Sequence, residues 1–593
     1  MSGLIGWIGA PRYRWLWVLA VSGVLGFHVG MVGFPTWQVA VETAQVVAGL
    51  VKYPFGNPFY VYHTKAWTVL HQICAVLLDA GMSEITLSKL LSGLLGMASF
   101  QALSMFVWAL SHDLLLGLGA PFLIFLTRAA EHGADYPIAL LGTDHTYGAL
   151  GLSMFVLVLA LFGAGCYRLA GFLLGVAPAV HVSVGAWLWI VVTVCFLWDF
   201  RRLRDELRPG LKYFLAGCAV TAASLVVHLT VTYDVPKVDP AVSGRYLAAF
   251  VGAWDVHRRP ARVWTVGVIL NCSALAVSLV WLKALVSDLP RPAAFLLRAV
   301  GVSAALSLAL ISISWLPADK VPATLLVLMP SRLLNFNTML YVALLLGLLA
   351  VYRRRFWSQA MTVVLACGLL LSYRSMLWDG VVVHSSLVRR IQFNPLHIFE
   401  IVSVGLIAGG GFSAWKAHTI RLAPMTLATR TARAVAVAVI ALAAVLTWRK
   451  SEPVEFRDRT NDPFFATVAA EPNGMLATGG SFHLVQLYTR RPVLLDGGAL
   501  DALPYAVEAG PAMERILGDV YGIDFFNPPR EAREAGAIPP RVNRPVWERY
   551  TREKWMEIRR TFNVTQVLTR GDWQLDLPVA AQNEWLRLYR IPD

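Results

Sequence analysis

The residues best suited to chemistry lie in short polar stretches between long apolar runs. The first stretch follows residue 33 and holds Trp37, Glu42, Tyr53-Pro54, Gly56-Asn57-Pro58, Tyr60, Tyr62, His63 and Lys65. A carboxylate beside a hydroxyl or amine can take its proton as a bond forms, so Glu42 is a candidate base. It reads otherwise as the cap or solvated face of a helix. A second stretch holds Glu131, His132, Asp135, Asp144, His145 and Tyr147. Asp144 and His145 are types that a divalent metal such as Mg or Mn accepts. Adjacent residues rarely face one ion, however, and Asp-His-Thr-Tyr at a helix start is equally a capping motif. A third set is basic: Arg332 within Met329-Pro-Ser-Arg-Leu-Leu-Asn335, then His384, Arg389 and Arg390. A guanidinium fork matches two oxygens of a phosphate. Headgroup contacts or ion pairs are the plainer uses of these arginines. Arg245, Arg258, Arg259 and Arg262 fit a solvated face, and His181 fits a hydrogen-bonded helix end that could also line a crevice.

The elements that must position these residues are dictated by composition. The chain has 593 residues, 57% of them apolar and only 15% charged, with 21 Trp and 28 Phe, and a mean hydropathy of +0.57. That balance excludes a soluble globular protein and a disordered one, and points to lipid as the solvent. The net charge of +14 comes as short knots between apolar runs, such as Arg201, Arg202, Arg204 and Arg353-Arg354-Arg355. Such knots mark cytoplasmic loops rather than a nucleic-acid surface. Six cysteines, none after residue 367 and none in CxxC spacing, read as packed thiols.

A spanning helix needs about 20 apolar residues. Runs at 15–33, 88–110, 113–128, 148–164, 168–180, 183–199, 211–231, 263–284, 293–315, 335–352, 358–375, 395–415 and 432–448 qualify, which predicts a polytopic α-helical membrane protein of about thirteen transmembrane helices. A further run at 66–82 contains His71, Gln72 and Asp79. If it crossed, the basic knots at 12–14 and 201–212 would face opposite sides, so it is expected to lie at the outer surface. The N-terminus is then cytoplasmic, and the stretches 34–87, 129–147, 232–262, 316–334 and 376–394 face outward with everything after 449. From Arg449 charge density rises and Pro and Gly punctuate short segments, which predicts a soluble C-terminal α/β domain over 449–593 behind a transmembrane domain over 1–448. Strands are expected at Met475–Gly479, Arg491–Asp496, Val564–Thr569 and Trp585–Ile591, and a helical turn at His483–Thr489.

The first outer stretch resembles the GT-C superfamily of integral-membrane glycosyltransferases. Glu42 stands a few residues past the first helix, followed by small residues (Ala44, Gly49) and Tyr53-Pro54. The branch it looks most like comprises protein O-mannosyltransferases and lipid A aminoarabinose transferases. Gly81-Met-Ser with Lys89, the return at Ser111–Asp113, and Arg168-Leu-Ala-Gly-Phe-Leu-Leu-Gly with His181 continue the pattern. Beyond residue 200 the likeness is one of architecture. Val41-Glu42-Thr43 offers one acid where members of that branch often have two.

The resemblance implies a polyprenyl-phosphate sugar donor, a glycan, lipid or protein acceptor, inversion at the sugar, and a bacterial inner (plasma) membrane with an extracytoplasmic C-terminal domain. It implies Glu42 as base, with Asp144 aiding the acceptor or a metal. Arg332, Arg389, Arg390 and Lys65 would bind the donor phosphate, and Trp37, Tyr60, Tyr62, His63, His145 and His181 would line the cavity. No cofactor beyond that divalent ion and no nucleic-acid partner is implied. A transporter or lipid flippase would instead carry ionisable residues along a mid-membrane path, and a non-catalytic scaffold of envelope glycan assembly would use the large tail for contacts.

Overall fold

The computed structural model of the chain describes residues 14–33, 38–126, 146–255, 265–285, 291–317, 332–353, 357–366, 401–409, 462–471, 473–480, 485–495 and 499–593, with scattered residues between them. Its first part is helical: α1 (Arg14–Gly33), α2 (Gln38–Val47), α3 (Pro58–Lys65), α4 (Val69–Asp79), α5 (Glu84–Ser111), α6 (Leu114–Leu126) and α7 (Thr146–Gly163). There follow α8 (Tyr167–Val180), α9 (Val182–Trp198), α10 (Phe200–Val231), α11 (Pro240–Ala253), α12 (Val266–Leu285), α13 (Arg291–Leu310) and α14 (Arg332–Val351). Among the described residues six helices are long and apolar enough to cross a membrane: α1, α5, α10, α12, α13 with its 3-10 extension, and α14. The shorter α6, α7, α8 and α9 are also apolar. The run expected not to cross forms α4, whose 11 residues extend about 16 Å, roughly half the hydrocarbon core. The span expected at 211–231 matches the apolar stretch Arg208–Val231 of α10, and the basic stretch after Phe200 simply extends the helix before it.

Apolar side chains alone do not hold helices together in lipid, so close backbone approach matters. At the α1–α5 crossing a Cβ on Gly96 would lie 2.1 Å from the Gly26 carbonyl oxygen, and at the α8–α10 crossing one on Gly217 would lie 2.2 Å from that of Phe172. Only glycine permits these contacts.

The C-terminal segment contains α15 (Pro463–Ala469), β1 (Met475–Thr478), α16 (Val485–Thr489) and two 3-10 helices, Ala499–Tyr505 and Val507–Ala509. Next come α17 (Gly510–Asp519), α18 (Arg530–Ala535), α19 (Pro540–Trp547), α20 (Arg552–Phe562), β2 (Val564–Arg570), β3 (Val579–Gln582) and β4 (Leu586–Arg590). The sheet order is β1-β2-β4-β3, with β1 parallel to β2 and the other pairs antiparallel. The strand expected at Arg491–Asp496 is reduced to a single bridge, Val493 to Leu476. Arg491, beside this bridge, is buried and turns its guanidinium onto the carbonyls of Val468, Glu471 and Gly474 and onto Thr565 and Gln566. Strand β3 and helices α17 to α20 were not expected from the sequence.

The core of this segment is shared. Val61 of α3 and Tyr246, Phe250 and Trp254 at α11 pack into the same apolar cluster as Leu517, Tyr521, Phe525 and Trp547. The segments around α3 and α11 and the C-terminal segment thus pack together through one apolar cluster.

Candidate functional site

The stretch around Glu42 is built by local signals. Helix α2 carries Glu42, which is 8% exposed, and is followed by a turn at Gly49, where φ is +72°. Gly56 again takes positive φ. Asn57 then caps α3, its Oδ1 accepting from the amides of Phe59 and Tyr60 while Pro58 occupies the first turn. This geometry sends His63 back toward α2, where its Nδ1 lies 2.7 Å from Thr43 Oγ1 and its ring stacks on Phe59 at 5.7 Å. Burial pulls the His63 pKa down to about 3, so the ring is neutral at pH 7.

One turn into α4, His71 joins the same cluster. Its Nδ1 donates to the Ala66 carbonyl at 2.8 Å, since a carbonyl only accepts. That leaves Nε2 to accept from the Tyr147 hydroxyl at 2.5 Å. Tyr147, at the start of α7, lies within electrostatic range of Glu42 and Tyr62 and bonds to Thr43. Glu42, Thr43, Tyr62, His63, His71 and Tyr147 therefore form a single polar cluster.

A second cluster surrounds Arg332, the first residue of α14 and only 5% exposed. The preceding turn is pinned: Trp187 Nε1 donates to the Leu328 carbonyl at 2.9 Å, Met329 takes φ +47°, and its carbonyl accepts the Arg332 amide at 2.9 Å. The guanidinium donates through Nη1 to Ser183 Oγ at 3.0 Å and through Nη2 to the Tyr505 hydroxyl at 2.9 Å. Nη1 also faces His181 Nε2 at 3.4 Å. His181 Nδ1 caps α9, accepting from the Val184 amide at 3.5 Å, and lies 3.3 Å from Ser183 Oγ. His181 divides α8 from α9.

The two clusters are close. Tyr147 and Gly151 lie on one face of α7, one turn or about 6 Å apart along its axis. Tyr147 meets His71, and Gly151 packs so tightly on His181 that a Cβ would come within 2.9 Å of the imidazole's own Cβ. Thr68, which caps α4, donates to the Val180 carbonyl at 3.0 Å, beside His181. A buried carboxylate and a buried guanidinium thus flank the same helix junction.

The C-terminal segment closes this region. Gln486 accepts from the Tyr53 hydroxyl at 2.6 Å and donates to the Glu42 carbonyl at 3.0 Å. Asn57 donates to the Leu494 carbonyl at 3.0 Å, and Arg490 pairs with Glu84 at 2.8 Å. Lys65, expected at a phosphate, forms an ion pair with Glu508. Tyr60 and Tyr62 pack against the shared apolar cluster.

The structure therefore gathers Glu42, Tyr62 and His63 in one cluster, His181 and Arg332 in the other, with Tyr60 and Lys65 along the contact with the C-terminal segment. Trp37, Asp144, His145, Arg389 and Arg390 lie outside the described residues. Among the described residues, no three His, Cys, Asp or Glu side chains gather as a metal set. Thr43, His71, Ser183, Tyr505, Glu508 and Gln486 were missed as site residues. Of these only His71 left a signal, as a polar residue interrupting an apolar run.

Across its length the chain is similar to a solved structure, the crystal structure of ArnT from Cupriavidus metallidurans bound to undecaprenyl phosphate, with 12% identity, 98% of either chain covered and a TM-score of 0.40. No family model and no curated protein matches the sequence.

Proposed function

We propose that this protein is a membrane glycosyltransferase that moves a sugar from a polyprenyl-phosphate donor to a hydroxyl or amine of a glycan, lipid or protein acceptor. The observation that carries the proposal is the pair of buried clusters flanking one helix junction, a carboxylate in one and a guanidinium in the other, under a cover formed by the C-terminal segment. The donor class comes from the resemblance of the first outer stretch to GT-C enzymes.

In this mechanism Glu42 takes the proton from the acceptor nucleophile as that atom bonds to the anomeric carbon. The bond from that carbon to the phosphate oxygen breaks, and the polyprenyl phosphate leaves with added negative charge. Arg332 stabilises that charge in a setting where water screens it little. A single displacement of this kind inverts the anomeric centre. His63 is neutral at pH 7, which keeps it a hydrogen-bonding partner and not a rival cation. Both clusters and the C-terminal segment share one end of the bundle. With a cytoplasmic N-terminus this end is extracytoplasmic, at the outer leaflet of the plasma membrane. Asp144 and His145 remain the proposed ligands of any divalent metal.

The test is transfer of labelled sugar from polyprenyl-phosphate donors by the purified protein. Glu42→Gln is expected to lower turnover about 100-fold or more, the range for removing a general base. Unchanged turnover in that variant would remove Glu42 from the mechanism. Lipid or solute flux in proteoliposomes without sugar transfer would replace the transferase with a transporter.

A further inference from the structure

Arg332 is the first residue of α14, and the backbone on either side of it is held by side chains from neighbouring helices. Before it, Trp187 Nε1 of α9 donates to the Leu328 carbonyl at 2.9 Å. After it, Asn271 Nδ2 of α12 donates to the Leu334 carbonyl at 2.9 Å. Ser183 and Tyr505 hold the tip of the arginine side chain, whereas these two bonds locate the backbone from which it starts.

Asn271 is 0% exposed, and both ends of its amide are engaged. Nδ2 gives one hydrogen to Leu334 and the other to the Gly267 carbonyl of its own helix at 2.8 Å. Carbonyls only accept, so the nitrogen must face them and the amide has one orientation. Oδ1 then accepts from Asn337 Nδ2 of α14 at 2.9 Å, and Ser307 Oγ of α13 lies 3.0 Å from it. One side chain thus ties α12 to the first two turns of α14 and meets α13.

These bonds do what the surrounding apolar contacts do not. Helix α14 is buried from Arg332 to Leu349, largely among aliphatic side chains that are alike along its length. A slide of one residue would move Arg332 by about 1.5 Å and turn it by about 100°. It would also break both bonds from Asn271 to α14 and leave buried polar groups unpaired, which is costly.

We infer that Asn271 is a positioning residue for Arg332. Together with Trp187 it fixes the height and rotation of the α14 N-terminus, and so the place at which the guanidinium meets the leaving phosphate. The inference rests on the role proposed above for Arg332.

The test reads structure and turnover separately, in the full-length protein in detergent. Asn271→Leu keeps the volume and removes the bonds. Backbone hydrogen exchange over residues 332–338, followed by mass spectrometry, should quicken about tenfold or more. In the transfer assay kcat/KM should fall about 100-fold, the scale for misplacing a catalytic group by about 1 Å. On an Arg332→Lys background the same substitution should cost less than about threefold, because a flexible ammonium depends less on where its backbone starts. Asn337→Leu, which removes one bond to α14 and keeps the one to Leu334, serves if Asn271→Leu does not fold, with a loss of about tenfold. Ser358→Ala is the control: it removes a buried bond to the Leu349 carbonyl at the far end of α14 and should change neither exchange over 332–338 nor transfer.

Wild-type turnover in Asn271→Leu, with wild type itself active, would overturn the positioning role and leave the transferase intact. Equal losses on the two backgrounds, or a matching loss in Ser358→Ala, would overturn it as well, since the effect would then be on the fold at large. No transfer by wild type would overturn the proposed function, and quickened exchange in Asn271→Leu would still support the tie that sets the α14 N-terminus.

Discussion

Acidification should loosen the packing of α2 and α3, and His63 sets the size of the effect. The ring is 4% exposed, its pKa is pulled from 6.5 to about 3 by burial, and Nδ1 is engaged by Thr43. The folded pKa is depressed below the unfolded value, and the group is a base. Above pH 6.5 the ring is neutral in both states and its full contribution is present. Below that value the unfolded chain takes up a proton that the folded chain refuses, so stability falls as pH drops from 6.5 toward 3. At pH 5, about 1.5 units below the unfolded value at about 1.4 kcal/mol per unit, the loss is about 2 kcal/mol. His71 is depressed likewise by burial, to about 3, and should add a similar amount. The measurement is the Tm of wild type and His63→Gln in detergent, followed by tryptophan fluorescence between pH 7.5 and 5. The variant should start lower, having lost the stacking on Phe59, and then fall less steeply with acid. Parallel slopes in the two proteins would show that His63 is protonated in the folded state, which would refute its assignment as a buried neutral ring.

Two further outcomes follow from packing. Arg491→Lys should destabilise the C-terminal segment by about 2–4 kcal/mol, because an ammonium cannot reach the set of carbonyl and side-chain oxygens that the guanidinium fork spans; a Tm equal to wild type would contradict this. Gly96→Leu should force α1 away from α5 and abolish a monodisperse peak in size-exclusion chromatography, whereas Gly518→Ala, whose added Cβ meets nothing within 4 Å, should elute as wild type.

How much of this was legible in the sequence depended on distance along the chain. Glu42, His63, His181 and Arg332 stood out because a polar residue at the end of an apolar run has few neighbours to excuse it. The run at 66–82 was set apart by the parity of the basic knots, and its helix is indeed short, 11 residues over Val69–Asp79. Strands β1, β2 and β4 were visible as short runs of Val, Leu and Thr bounded by turn residues. Helices α17 and α19 were not, although each carries a proline in its first turn, where proline is a helix starter. Tyr505, Glu508 and Gln486 are ordinary surface types on their own segment. Their roles appear only when partners 173, 443 and 444 residues away are brought beside them, and no local pattern encodes that meeting. Lys65 shows the converse, a cation in the expected place whose partner is an internal carboxylate.

The separation of those partners also governs how the protein is made. The Glu42 carbonyl waits for Gln486, 444 residues later in the chain. At about 5–20 residues per second, roughly 20–90 s elapse between synthesis of the loop around Glu42 and emergence of the segment that contacts it. During that interval the Glu42 carbonyl lacks its Gln486 donor, and Tyr53 and Asn57 lack their acceptors on Gln486 and Leu494. A nascent chain truncated before residue 485 would never leave that state. The contact between the loop made first and the segment made last therefore forms only in a finished molecule.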